Sequence, residues 1–279
     1  MGKSMVRNLM KAGFELHIYA RTRSKVEDVI SDGAIFHETI TDCVKDCDAV
    51  ITIVGFPVDV EEVYFDKGNI LDSAKEGAYL IDMTTTSPML DQKIAEEGTK
   101  RGFHVLDAPV TGGDTGAKAG TLSILVGGSR EDYEACMPLF KAMGTNINYQ
   151  GAAGSGQHAK LANQIMIAGT LSGVCEALTY AKEQGLDPEV FMKSVATGAA
   201  GSKQLDTFGP KILKDDYAPG FFMKHFIKDM NLADEEASKM GLALPVLKQV
   251  LAEYRTLEAK GMGDLGTQAL FTYYADKEK

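Results

Sequence analysis

Three observations predict an α/β unit built on a parallel sheet, followed by an all-α unit, with one long helix joining them. Short apolar strand-like runs alternate with helical patterns over residues 1–153, strand signals stop after Gly151, and an unusually apolar helical stretch begins there. The boundary is placed near residue 153, giving a sheet unit over 1–153 and a helical unit over 154–279.

Gly2 to Lys11 reads as an amphipathic helix with Met5, Leu9 and Ala12 on one side, stopped by Gly13. Residues 14–20 alternate as a strand, and the loop Arg21-Thr22-Arg23-Ser24-Lys25 leads into a helix through Ser31. Residues 48–54 hold a nearly continuous apolar run, as a strand buried on both faces requires. Pro57 to Phe65 is helical and Ala78 to Asp82 is a second buried strand. Pro88 suits the first turn of the next helix. Strands near 103–106, 121–126 and 146–149 bracket one more helix. The remainder reads as helices over 156–184, 188–197, 202–214, 223–240, 245–260 and 267–275, and the polar tail Ala275 to Lys279 is expected to fray.

Composition excludes several function classes. The chain has 279 residues, 44% of them hydrophobic, and a formal net charge of −10, which disfavours nucleic acid or an anionic membrane surface as a partner. No apolar run is expected to span a membrane, and the first residues lack the apolar core of a signal peptide. Cys43, Cys47, Cys136 and Cys175 show no knuckle spacing and no accompanying histidines, so no metal is expected and a reducing, cytoplasmic location is.

Three stretches carry chemistry. Ligands of an open parallel sheet sit at the carboxyl ends of its strands. At the end of the 14–20 strand stand Arg21, Arg23 and Lys25, with no acid before Glu27. An acid there would suit the ribose hydroxyl of NAD, whereas arginine suits the 2′-phosphate of NADP. The loop therefore reads either as an NADP preference or as an exposed basic turn. Residues 107–122 form a glycine-rich stretch in which Gly112 and Gly113 offer bare backbone N–H groups beside the Thr111 hydroxyl, a turn able to wrap a carboxylate. Residues 154–164 open the long helix, which is apolar or small on nearly every side through Leu178 and so reads as buried all round. Lys160, Asn163 and Gln164 share one face of it. A lysine so placed reads either as a solvated first-turn residue or as a proton donor.

These stretches resemble the β-hydroxyacid dehydrogenases, the family of 3-hydroxyisobutyrate dehydrogenase, tartronate semialdehyde reductase and glyoxylate/succinic semialdehyde reductase, related to 6-phosphogluconate dehydrogenase. Asp107 to Leu122 matches the family pattern D-A-P-V-[ST]-G-G-x-x-G-A-x-x-G-T-L, and Gly154 to Asn163 matches G-x-G-x-x-x-K-x-x-N. Phe221 with Lys228 and Asp229 matches a third pattern, so the likeness covers essentially the whole chain. The resemblance implies a Rossmann-like first domain and a nicotinamide cofactor, with NADP favoured over NAD by the basic loop. It implies that Lys160 is the catalytic acid/base, and that Thr111, Gly112, Gly113, Asn163, Gln164, Phe221 and Asp229 bind a small carboxylate substrate. Gly2, Arg21, Thr22, Lys25, Val54, Gly55, Thr85 and Lys228 fall where relatives contact the dinucleotide; Val54-Gly55-Phe56 stands where they have Leu-Pro. A homodimer or homotetramer is implied as well. The alternatives are an imine reductase, disfavoured by Lys160, and a non-catalytic scaffold of the same fold.

Relatives open with a strand ending in G-x-G-x-x-G, of which this chain supplies only the last glycine, Gly2. That strand belongs between the 14–20 and 48–54 strands. The two are therefore expected to stand about 9–10 Å apart, two strand spacings, and not to pair directly at about 4.8 Å.

Overall fold

The computed structural model describes residues 1–276, so the expected fraying of the tail falls, for residues 277–279, outside the described residues. The chain divides into two compact units, the first from Met1 to Lys160 and the second from Leu161 onward. The division by contacts lies within the long helix, so the first turn of that helix packs with the sheet.

The first unit holds strands β1 (His17–Ile18), β2 (Ile35–Phe36), β3 (Ala49–Thr52), β4 (Tyr79–Asp82), β5 (His104–Asp107), β6 (Val110–Thr111), β7 (Leu122–Gly128) and β8 (Gly144–Gly151). Its helices are α1 (Gly2–Lys11), α2 (Glu27–Ser31), α3 (Ile40–Val44), α4 (Pro57–Phe65), α5 (Ile70–Ser73), α6 (Pro88–Lys100), α7 (Gly113–Ala119), α8 (Arg130–Ala135) and α9 (Met137–Met143). Strands β3, β4 and β5 pair in parallel, with Val50 beside Leu80 and Leu80 beside Val105. Strand β7 runs antiparallel to β5 and β6 and parallel to β8. The expected parallel sheet is present, with β7 reversed against β5 and β6. The reversal comes from residues 107–122, which fold as β6 and the short helix α7 and turn the chain back before β7.

Strand β1 pairs with β2 alone, in a two-stranded ribbon, while β3 pairs with β4. The direct pairing of β1 with β3 that would contradict the split-sheet expectation is not seen among the described residues.

Alternation along the strands places side chains on both faces of the sheet. Leu80 and Val105 point into a cluster with Val60, Tyr64, Ile70 and Ile94. Their neighbours Ile81 and Leu106 point the other way, to Met5, Leu9, Leu122 and Phe140. Fully buried Leu and Ile side chains such as these stabilise by about 1.5–3 kcal/mol each, which pins the sheet register and hence the loops at its carboxyl ends.

The long helix α10 (Ser155–Glu183) runs from the first unit into the second, where α11 (Pro188–Val195), α12 (Lys203–Ile212), α13 (Met223–Lys239), α14 (Pro245–Ala259) and α15 (Phe271–Ala275) follow. Its Leu161, Ala168, Leu171, Cys175 and Leu178 lie in a core shared with Phe226, Met230, Leu251 and Tyr254. Two expectations for this helix need correction. By length and composition alone it is apolar enough to cross a membrane. It is also not buried all round: Ala162, Met166, Thr170, Gly173, Ala177 and Tyr180 form an exposed stripe at helical spacing. The core takes up the other side.

Candidate active site

The carboxyl ends of β3 and β4 gather several of the sequence-predicted cofactor residues. After β3, the Val54 N–H donates to the Thr84 hydroxyl at 3.0 Å, which ties Val54 and Gly55 to the loop after β4. In that loop Thr84 and Thr86 are buried, whereas Thr85 is half-exposed. Helix α1 starts beside the same strands. A Cβ built on Gly2 would stand 3.2 Å from Ile53 Cγ2, a tight contact that glycine avoids. Arg21, Thr22 and Lys25 lie beyond the end of β1 and are exposed. The Arg21 guanidinium donates to Asp59 Oδ1 at 2.7 Å, a bond that raises its pKa. Arg23 pairs with Glu27 and Glu38. Read alone, the loop has no acid before Glu27; in the fold, Asp59 of α4 supplies one. Asp59 is buried whereas the guanidinium is exposed, so Arg21 still presents N–H donors to solvent beyond this pair.

Thr111 ends β6, and the two glycines after it turn the chain into α7. Gly112 and Gly113 have φ of 129° and 62°, conformations that L side chains rarely adopt. No side chain caps α7, so its first N–H groups remain available beside Thr111, as the carboxylate-binding expectation requires.

The start of α10 is held by residues that the motif contains but to which sequence reasoning gave no role. Asp107, at the end of β5, accepts from Gly154 N at 2.8 Å and from Gln157 N at 2.9 Å. Burial raises its pKa, and these backbone bonds offset part of that rise. A buried carboxylate thus caps the positive end of a 29-residue helix. Gly156 has no room for a side chain, because a Cβ there would collide with the Leu125 carbonyl and stand 2.8 Å from Asp107 Oδ2. Gln157 is completely buried. Its Nε2 donates to the Thr84 carbonyl and to Asp91 Oδ2, both at 2.7 Å, and its Oε1 accepts from Thr86 N at 3.1 Å. The first turn of α10 is thereby locked to the loop after β4. One turn on, Lys160 is 7% exposed, the burial that separates a candidate proton donor from a solvated lysine.

In the helical unit, Asn163 Nδ2 donates to Gln164 Oε1 at 2.7 Å, and Gln164 Nε2 donates to Asp229 Oδ2 at 2.6 Å. Lys228 Nζ lies 2.9 Å from Asp229 Oδ1. Four sequence-predicted residues therefore form one chain, in which Gln164 is a bridge and Lys228 is engaged with the neighbouring acid. Phe221 packs at the edge of the helical core with its ring 5.8 Å from that of Phe226, and its carbonyl accepts from Thr267 N.

Residues 1–151 match the family profile described as the NAD binding domain of 6-phosphogluconate dehydrogenase. Residues 154–274 match the one described as NAD-binding of NADP-dependent 3-hydroxyisobutyrate dehydrogenase. The chain belongs to the β-hydroxyacid dehydrogenase family. It is 51% identical over 271 residues, covering 97% of this chain and 94% of the other, to an uncharacterized oxidoreductase of Bacillus subtilis. It is 35% identical over 270 residues, covering 97% and 92%, to the 2-hydroxy-3-oxopropionate reductase of Escherichia coli. A solved 3-hydroxyisobutyrate dehydrogenase of Mycobacterium tuberculosis with L-serine matches with a TM-score of 0.89 at 26% identity, over 98% of this chain and 94% of that one. Like its family, this β-hydroxyacid dehydrogenase works with a nicotinamide cofactor, NAD or NADP.

The sheet unit fits such a cofactor on its own geometry. The N-terminus of α1 has no side-chain cap, Gly2 keeps that helix close to the end of β3, and Arg21 stands at the end of β1. A helix N-terminus with bare N–H groups suits a pyrophosphate, and the guanidinium suits a phosphate further along.

Proposed function

We propose that this dehydrogenase interconverts a small β-hydroxyacid with its semialdehyde or oxo acid, with Lys160 as the general acid/base and NADP as the preferred cofactor. The bound cofactor supplies the hydride acceptor or donor. Lys160 takes the proton from the substrate hydroxyl in oxidation and returns it to the carbonyl oxygen in reduction, and its ammonium stabilises developing alkoxide charge. The N–H groups at Gly112 and Gly113 and the Thr111 hydroxyl hold the substrate carboxylate. On the helical side the reading assigns Asn163, Gln164, Phe221 and Asp229 to the substrate and Lys228 to the cofactor.

The observation that carries this reading is the fixed start of α10. Asp107 and Gln157 anchor the turn that precedes a buried lysine, and this is the arrangement a positioned proton donor needs. The substrate class gains support from L-serine, itself a β-hydroxyacid, in the Mycobacterium tuberculosis structure. Val54 and Gly55, beside Thr84 and Thr85, flank the cofactor in the same reading, and Thr22 and Lys25 with Arg21 serve the 2′-phosphate. The test is a panel of 3-hydroxyisobutyrate, L-serine, tartronate semialdehyde, succinic semialdehyde and glyoxylate, each with NADP and NAD. Reduction or oxidation of one member with kcat/KM above about 10⁴ M⁻¹s⁻¹ is expected. Turnover of none of them would overturn the reading.

We further infer association into a homodimer or homotetramer through the exposed stripe of α10. Met166 and Tyr180 are 73% and 67% exposed, and the small residues Gly173 and Ala177 between them permit close approach of a second copy.

A further inference from the structure

Two buried carboxyl groups lie behind the site and take no part in the chemistry proposed for it. Asp82 ends β4 and Asp91 lies in the first turn of α6, and they are 2% and 3% exposed. Asp82 Oδ1 accepts from the Thr52 hydroxyl at 2.7 Å and from Thr84 N at 3.0 Å. Asp91 Oδ2 accepts from Gln157 Nε2 at 2.7 Å. That leaves Asp82 Oδ2 and Asp91 Oδ1, both buried and without a donor from any other group. The two carboxyl groups are within hydrogen-bonding reach of each other. Two carboxylate oxygens cannot face one another in a dry interior while both are charged. A single proton between them satisfies both.

We propose that Asp91 is carried as a neutral acid donating to the Asp82 carboxylate, and that this pair acts through Gln157 as a positioning device that sets the loop Thr84–Thr86 against the helix start bearing Lys160. With that proton in place every bond in the network has a donor and an acceptor. Asp91 donates to Asp82 and accepts from Gln157, and Gln157 joins the Thr84 carbonyl to the Thr86 N–H. The loop so fixed stands at the carboxyl end of a sheet strand, where ligands of such sheets bind. Asp107 of β5, whose charge favours the protonated form of Asp91, and Tyr64 of α4, whose hydroxyl is bonded to Thr52, also face the pair. Burial and the neighbouring carboxylates push Asp91 upward, and the bond to Asp82 places the proton on Asp91.

Asp91 holds its proton more tightly folded than unfolded, so its contribution to stability is full below the ordinary carboxylate range. That contribution is lost as pH rises toward the raised folded value.

The tests use D91N, whose amide can donate to Asp82 and accept from Gln157, and D91A, which can do neither. The wild-type protein is expected to show the infrared carbonyl band of a protonated carboxylic acid at neutral pH. The band should shift on ¹³C-aspartate labelling and be absent from D91N. The melting temperature of D91N relative to wild type should rise from about pH 5 to about pH 8. D91N should keep near-wild-type turnover, while D91A should lose on the order of ten- to a hundredfold in kcat/KM with the loop released. Absence of an aspartic acid band in the wild type, a pH-independent difference in melting temperature, or full activity in D91A would overturn the proposal. The infrared band needs no substrate, so a wrong functional reading and a wrong assignment of the proton give different results.

Discussion

Asp107 shows how one side chain can decide whether a site assembles. Its carboxylate satisfies the N–H groups of Gly154 and Gln157 at the start of α10, with no solvent to replace it. Asp107→Ala would strand both donors, at about 1–3 kcal/mol each, so a loss of about 2–6 kcal/mol in denaturant-induced unfolding is expected. A loss under about 1 kcal/mol would mean that other groups take over the cap. Arg21 makes a prediction of a different kind. Its bond to Asp59 is exposed on the arginine side only, and the buried Asp59 carboxylate keeps the Phe56 N–H, so Arg21→Ala should cost about 1 kcal/mol of stability while lowering kcat/KM for NADP more than for NAD. Equal loss with both cofactors would show that the guanidinium does not read the 2′-phosphate. Thr111, Gly112, Gly113 and Lys160 were legible as a hydroxyl, bare backbone and a cation in the right company. Asp82, Asp91 and Gln157 were not, because a buried carboxyl pair has no spacing signature: the residues are brought together by the packing of β4, α6 and α10, which no local pattern encodes.

Helix α10 carries the element-scale lesson. Its apolar character was plain in the residues, and the core of the second unit accounts for Leu161, Leu171 and Leu178. What composition could not reveal is that Met166, Thr170, Gly173, Ala177 and Tyr180 share a face that the chain leaves open. If a second copy covers that face, a paired Met166→Glu and Tyr180→Glu variant should sediment as a monomer of about 30 kDa where the wild type is larger. A wild type that already runs as a monomer at micromolar concentration would remove the association from the account. Helix α7 was missed for a related reason. Its residues, Gly113–Ala119, include two glycines and read as loop, yet the left-handed turn at Gly112 and Gly113 and burial of Gly116 and Ala117 hold it helical. Tertiary contact outweighed propensity there.

At the scale of the molecule, the alternation of strand and helix followed by helices alone was enough to define the architecture, because each pattern can bury its apolar residues in only a few ways. The antiparallel course of β7 was not legible, since a strand's hydrophobic pattern is the same in either direction. The β1–β2 ribbon stands apart from the larger sheet, the separation expected for strands that flank the first strand of the family's pattern. The proposed proton chemistry of Lys160 is tested by comparing Lys160→Ala with wild type for both turnover and cofactor binding. A fall in kcat of about two to four orders of magnitude is expected, with the dissociation constant for NADP, read by direct titration, nearly unchanged. Turnover close to that of the wild type would contradict the claim and send the search for the acid/base elsewhere in the chain.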